Sequence, residues 1–203
     1  MSKKIFNNIY FLSILKKLNT IIFGMIATIF LNRALGPSLK GEYATILNVI
    51  STLTNILYLG ISTIYPNYVR KKEQWTFSTF IGLVFAQGVL YSSISLLVGI
   101  ILQSQAYFLY GMTTTFAVVS MQILQMSIVN DFKKGTIANI LSVSTNALVM
   151  FIMWCSGVKS VDLAILIFLI KELSIVIFSF SIIRKSFKWS DVEPKRWFGI
   201  VAK

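Results

Sequence analysis

Long apolar runs separated by short basic or turn-rich stretches make up most of this chain. A helix needs ~20 mostly apolar residues to cross a hydrocarbon core. Six runs meet that requirement, at residues 14–34, 43–64, 77–102, 107–129, 136–157 and 161–183. The third is long enough to cross at a tilt. The connections are short and leave no room for a soluble domain. The pattern predicts an all-α integral membrane protein, with a six-transmembrane-helix bundle over residues 1–183. A basic, tryptophan-containing tail over 184–203 should follow, lying at a membrane surface and partly as an interfacial helix.

Composition fits this reading. Hydrophobic residues make up 56% of the chain, and 3 Pro and 11 Gly leave the apolar runs free to stay helical. The net charge of +12 invites a nucleic-acid reading. The basic residues, however, gather at the ends of apolar segments rather than on one soluble face, so no nucleic acid is expected. Their positions set an orientation instead. Lys3, Lys4, Lys16 and Lys17, then Arg70, Lys71 and Lys72, then Lys133 and Lys134, and finally Arg184, Lys185, Lys188, Lys195, Arg196 and Lys203 all fall on one side. Only Arg33, Lys40 and Lys159 fall on the other, and Lys171 lies inside the sixth run. Cationic loops stay cytoplasmic, so both termini should be cytoplasmic. The opening Met1-Ser-Lys-Lys imitates a signal peptide. Lys16 and Lys17 interrupt its apolar run, and no small-residue cleavage site follows, so it reads as an uncleaved signal anchor.

The chain has no histidine and a single cysteine, Cys155. That excludes a disulfide within the chain and leaves no zinc-type ligand set; no metal or cofactor is expected. Cys155 sits in an apolar stretch and reads as a small buried hydrophobe.

Polar residues inside the runs form stripes at helical spacing. Thr20, Gly24, Thr28 and Asn32 recur in the first run, Asn48, Ser51, Thr52 and Asn55 in the second, and Asn139, Ser142 and Asn146 in the fifth. Gln122 and Gln125 lie three apart in the fourth. Two readings stand: helix–helix packing through small, hydrogen-bonding residues, or a hydrophilic lumen shared by several helices. The asparagines favour a lumen, because small residues alone suffice for packing. Lys171 and Glu172 lie near the middle of the sixth run, where a charge costs at least ~2.5 kcal/mol on insertion scales. Neighbouring positions point ~100° apart on a helix, so the two are not expected simply to neutralise each other. Lys171 suits an anion, and Glu172 suits a proton or a coupling cation.

The first connection reads Asn32-Arg-Ala-Leu-Gly-Pro-Ser-Leu-Lys-Gly-Glu-Tyr43. It resembles the Arg-x-Leu-Gly-Pro-x-x-x-Gly-x-Tyr signature after the first helix of the polysaccharide (O-antigen) flippases, in the multidrug/oligosaccharidyl-lipid/polysaccharide exporter superfamily. Arg33, Leu35, Gly36, Pro37, Gly41 and Tyr43 carry the match. A second stretch, Tyr58-Leu-Gly-Ile-Ser-Thr-Ile-Tyr-Pro-Asn-Tyr-Val-Arg-Lys71, is similar to the Leu-Gly-x-(Ser/Thr) segment and Tyr-Val pair of the same family. Physically the first motif is a turn: Gly36 and Pro37 end a helix, and Gly41 permits a close approach. Arg33, at a helix end, either attracts a diphosphate or reaches toward the membrane surface.

The resemblance implies a transporter of the bacterial cytoplasmic membrane rather than an enzyme. Its substrate would be an undecaprenyl-diphosphate-linked oligosaccharide, carried across for surface polysaccharide synthesis. Members have two six-helix lobes around a hydrophilic cavity, and this chain resembles one N-terminal lobe. Residues 184–203 would then be a cytoplasmic tail or the start of an inter-lobe linker. A truncated gene, a fragment, or lobes on separate chains would each explain the length. The expected substrate-binding residues are Arg33, Lys171, Asn48, Asn55, Asn139 and Asn146, with Glu172 for ion coupling; the expected partners are the lipid-linked diphosphate, membrane lipids and a second six-helix lobe. A drug or cation antiporter of the same superfamily and a non-transporting membrane assembly protein are the alternatives. A membrane polymerase or glycosyltransferase would need a large loop with catalytic clusters, which the sequence lacks.

Overall fold

The computed structural model describes residues 9–70, 75–184 and 187–201. Lys3, Lys4, Lys71, Lys72, Lys185 and Lys203, which contribute to the charge bias, lie outside the described residues. The described chain is helical and contains no strand. Its elements are α1 (Ile9–Leu57), α2 (Ile61–Val69), α3 (Trp75–Ile101), α4 (Gln105–Asn130), α5 (Phe132–Ser156) and α6 (Val161–Ile183). Two 3-10 turns, Trp189–Asp191 and Pro194–Arg196, then lead into the short α7 (Trp197–Val201). Among the described residues five helices, α1 and α3 to α6, are long and apolar enough to cross a membrane. This is the make-up of a multi-pass membrane protein.

α1 counts 49 residues. A straight helix of that length would be far longer than a ~30 Å hydrocarbon core. Its backbone breaks at Gly36, where φ is 73° and ψ is 178°, and Pro37 follows. Glycine takes this conformation without a steric penalty. Before the break, the Asn19 side-chain amide donates to the Ile140 carbonyl (3.3 Å), and the Phe30 ring lies 5.0 Å from Phe151 and 5.4 Å from Trp154. The partner numbers rise together, so this segment runs parallel to α5. After the break, Thr45 and Val98 line one cleft, while the Leu57 carbonyl accepts from Gln87 at 2.7 Å. The numbers now run in opposite senses, so this segment is antiparallel to α3. Gly41, expected to permit a close approach, has open space around it.

α4 is the central helix and packs against α1, α2, α3, α5 and α6. Its buried positions are largely small or polar, including Thr113, Thr114, Thr115, Ser120, Gln122 and Ser127. The three threonines donate to carbonyls one turn back, at 2.7 to 3.0 Å. Spent in this way, their hydroxyls allow neighbouring helices to come close. α3 and α5 both run antiparallel to α4: Gly111 lies against Ser95 and Gly88 against Val119 on one side, and Gly135 against Ile128 on the other. Large aliphatic side chains such as Ile21, Val89, Ile100 and Ile101 point outward. A polar interior beneath an aliphatic surface is stable in lipid and a liability in water. Cys155, expected to be buried, is exposed beside the exposed Phe151 and Ile152. In lipid an outward apolar position carries no penalty, so the apolar context of Cys155 did not require burial.

Two boundaries differ from expectation. The run 43–64 is not one helix. It stops at Leu57 and restarts at Ile61, with Leu59 (φ 53°) and Gly60 (φ 63°) in the left-handed region. The tail also folds back onto the bundle. The backbone N–H groups of Lys188 and Glu193 donate to Ser78 (3.1 Å) and Thr79 (3.0 Å), and Ile200 is buried in an apolar cluster with Tyr65, Phe80 and Ile123. Trp189 and Phe198 remain exposed.

Candidate substrate cavity

The site begins with Ser160. Its hydroxyl accepts the Leu163 N–H (3.3 Å) and starts α6, which then runs without a break to Ile183. That continuity places Lys171 and Glu172 in mid-helix, facing the centre of α4 and the second segment of α1. The three elements enclose a cavity of about 400 Å³. Its polar wall consists of Ser51, Thr54, Asn55, Ser120, Lys171 and Glu172.

Lys171 and Glu172 do pair, contrary to the expectation from helical geometry. The Lys171 ammonium lies 2.8 Å from one Glu172 oxygen. The Cα–Cβ directions diverge as expected, but the four-carbon lysine stem bends across the gap. Ser120 donates to the other carboxylate oxygen. The ammonium also sits 4.5 Å from the centre of the Phe168 ring, a cation–π contact. The two side chains are unequally buried: Lys171 keeps 23% of its side chain exposed and Glu172 only 7%. Both line the cavity, Lys171 as the more open of the two and Glu172 held against α4 by Ser120. An ammonium has three protons, so bonding to Glu172 leaves donors for an anionic oxygen in the cavity.

The other expected residues are not all gathered here. Asn55 is exposed and lines the cavity, and Asn48 is exposed one turn beyond Ser51 on the same stripe. Asn139 and Asn146 lie elsewhere. Their side-chain carbonyl oxygens, with the Ser142 hydroxyl, are buried without a hydrogen-bond partner. The stripes on α1 and α5 therefore do not share one lumen. Helical spacing shows which residues share a face but not where the face points. Arg33 is exposed, with its guanidinium 5.8 Å from the centre of the Trp154 ring, and does not line this cavity. On the first stripe, Thr20 and Thr28 are exposed and donate to their own helix, and Gly24 meets nothing. No other part of the described chain packs on that face through Gly24.

Sequence reasoning missed Ser120, whose relation to Glu172 spans 52 residues. It also missed what surrounds the break after Leu57. There Gln87 donates to the Leu57 carbonyl (2.7 Å), and Gln122 donates to the Tyr58 carbonyl (2.8 Å) and to Gln87 (3.0 Å). Gln125 accepts from Tyr58 (2.6 Å) and Ser62 (2.7 Å). Gln122 and Gln125 stood out by their spacing, but nothing local named their partners. No protein-family model, curated protein or solved structure matches the chain.

Proposed function

We propose that this chain forms one six-helix lobe of a flippase that moves an undecaprenyl-diphosphate-linked oligosaccharide across the bacterial cytoplasmic membrane. One observation carries the reading: a mid-helix lysine, Lys171, lines a largely apolar cavity whose wall also carries Ser51, Thr54 and Asn55. Buried charge is retained in spans chiefly on substrate and ion pathways. A diphosphate is the dense anion that an ammonium suits, with the Ser51 hydroxyl and the Asn55 amide on the same wall, since the Thr54 and Ser120 hydroxyls already donate to Ile50 and Glu172. The resemblance around Arg33, Gly36 and Tyr43 agrees with this class of cargo.

The break at Gly36 supports six crossings. α3 and α5 run in the same direction, and the two segments of α1 are antiparallel to one and parallel to the other. The segments therefore run in opposite directions, which supports reading α1 as two crossings. With the basic residues described above, both termini are then cytoplasmic. A periplasm-active reporter fused after Lys203 should be silent; strong activity would overturn the six-crossing orientation.

In this scheme Glu172 gates the cation. Its carboxylate holds the ammonium, and a coupling ion that takes the place of Lys171 on Glu172 would free the ammonium for the diphosphate. Asn48 and Asn55 offer amides to sugars along the same wall. Arg33, Asn139 and Asn146 would act at other stages or at another face. A second six-helix lobe, on the same polypeptide or another, supplies the opposite wall, because alternating access is one bundle moving against another. It would also cover the Thr20–Gly24–Thr28 face.

The test is complementation of a strain lacking its polysaccharide flippase. Residues 1–203 fused to the second lobe of a known flippase should restore surface polysaccharide, and residues 1–203 alone should not. A membrane-inserted, stable fusion that restores none would defeat the proposal. Restoration by residues 1–203 alone would remove the need for a second lobe.

A further inference from the structure

The residues after α6 leave the end of one long apolar helix and fold back onto the first turns of another. The Arg196 guanidinium lies 4.1 Å from the centre of the Trp75 ring, where α3 begins. Further along α3, a methyl group added at Gly82 would come within 3.0 Å of Val192. A helix rises ~10 Å between Trp75 and Gly82. The polar layer on each side of a bilayer is ~5–8 Å deep. The tail is therefore held at the level of one membrane boundary, and three of the chain's four tryptophans, Trp75, Trp189 and Trp197, gather there.

The tail has two faces. Its inner face is pinned to α3: the Lys188 and Glu193 N–H groups donate to Ser78 and Thr79, and the Thr79 hydroxyl donates to the Asp191 carbonyl (3.3 Å). In α7, Trp197 is half-buried and Ile200 is buried, while Phe198 and Val201 point outward. A short helix with water on its outer side would carry polar residues there. Trp189 is 73% exposed and Phe198 84%. The charges divide in the same way. Glu193 pairs with Arg196, and the Asp191 carboxylate accepts from Ser190 (2.9 Å). Arg184, Lys188 and Lys195 are exposed, which leaves the outer face cationic as well as aromatic.

We infer that this outer face binds anionic lipid, with Trp189 and Phe198 in the layer between headgroups and acyl chains and Lys188 and Lys195 against the headgroups. Tryptophan favours that layer, and lysine stems reach from it to the surface. The neighbouring surfaces of α3 and α6 expose aliphatic side chains such as Val89 and Ile177, so lipid is the continuous surroundings of the patch. With its inner face on α3 and its outer face on lipid, the tail ties that end of α3 to one leaflet. Neither Lys171 nor its cavity takes part, so the inference stands apart from the flippase reading.

The experiment uses the full chain in nanodiscs of phosphatidylcholine and phosphatidylglycerol. Bromine is placed on the acyl chains of one lipid or of the other, at the same mole fraction. The fluorescence of wild type minus that of Trp189→Phe gives the signal of Trp189. Brominated phosphatidylglycerol should quench it about fivefold more efficiently than brominated phosphatidylcholine, the preference conferred by one lysine near an anionic surface. Lys188→Gln/Lys195→Gln should bring the two lipids to equal efficiency. Quenching of the remaining tryptophans should not change in that variant, which shows that it is inserted and folded. A Trp189 signal that neither lipid quenches would place the patch in water or against protein and overturn the inference. Equal quenching by both lipids in the wild type, or a preference for phosphatidylglycerol that survives the loss of both lysines, would overturn the anionic surface.

Discussion

Two polar insertions sit among the long apolar helices of this protein, and they are built in opposite ways. At the break after Leu57, the polar groups turn inward on one another. The Leu57 and Tyr58 carbonyls, freed because the helix stops, receive amide hydrogens from Gln87 and Gln122. Gln122 is completely buried, and Tyr58 and Ser62 share a hydrogen bond while both also reach Gln125. At Lys171 the arrangement is half open. Glu172 is closed in by Lys171 and Ser120, but the ammonium keeps a free side toward the cavity. Irregular backbone at membrane depth must have its hydrogen bonds satisfied by protein or by a wet cavity. The first region meets that requirement for the backbone, although the buried Gln122 side-chain oxygen has no partner of its own; the second leaves donors available for a ligand. Polarity within a span is therefore not enough to mark a site. What distinguishes the site is a charged group whose hydrogen-bonding capacity is not used up.

The largest effect should come from opening the closed region. Gln122→Leu leaves the Tyr58 carbonyl and the Gln87 side-chain oxygen without the donor that each has now. An orphaned buried acceptor costs ~1–3 kcal/mol; the substitution creates two and removes one, the Gln122 side-chain oxygen, so the net is still a sizeable share of a typical folding free energy. Gln122→Leu should lower the thermal midpoint in detergent markedly and reduce the amount of protein in the membrane. Gln125→Leu should act in the same direction through Tyr58 and Ser62. An unchanged midpoint in both variants would mean that the break is not held by these amides, and the contrast with Lys171 would collapse.

The next test separates a structural pair from a working one. Lys171→Gln leaves a buried carboxylate without its cation, which is costly in any setting. Restoring balance with Lys171→Gln/Glu172→Gln should recover protein level, because the two amides can bond to each other and to Ser120. In the two-lobe fusion, the double variant should still fail to produce surface polysaccharide. Recovery of both level and polysaccharide would make the pair architectural, like the glutamines. Lys171→Arg should be milder than Lys171→Gln if charge alone matters.

These regions differed in how readily the sequence revealed them. The sixth run, 161–183, coincides with α6 because it is continuously apolar around one charged pair and starts at a serine cap. The break at 58–60 did not interrupt the second run, because Tyr58, Leu59 and Gly60 are not polar enough to register as a gap. The residues that make the break tolerable lie 30 to 64 positions away, beyond any local periodicity. The charge at Lys171 stood out at once, since lysine is rare in mid-span. Its pairing with Glu172 did not, because helix geometry fixes the Cβ direction and not the path of a long side chain. The asparagines of α5 were grouped correctly on one face, but the face turned out to be interior. The all-helical multi-pass class, the last four runs and the two mid-span charges were thus legible, whereas the layout of the first two runs, long-range partners and the direction of each polar face required the packing.

The smallest effect supplies a yardstick from outside the membrane. Asp131 lies between α4 and α5 and caps α5, accepting from the Lys134 backbone N–H (3.1 Å) and pairing with its ammonium (3.0 Å). That backbone hydrogen bond is the main reason its carboxyl titrates below the ordinary 3.8, and the Lys134 side chain adds to the effect against a cost from partial burial. Asp131→Ala should cost ~1 kcal/mol through loss of the cap. Asp131→Asn keeps a capping oxygen and removes the charge, so it should cost only a few tenths, in the range of a partly exposed ion pair. The sign follows from the depressed value. The carboxylate's contribution is fully present above the pKa of the unfolded chain and disappears as the pH falls through the lower folded value. Unfolding in micelles should therefore separate wild type from Asp131→Asn at neutral pH, with the gap closing only below about 4. A gap that persists unchanged well below that point would show that the amide disturbs the cap itself. The neutral-pH gap is also the measure for Gln122→Leu: if that loss is no larger than the loss at this exposed cap, the glutamines at the break are not satisfying buried backbone, and the two polar regions are not built differently after all.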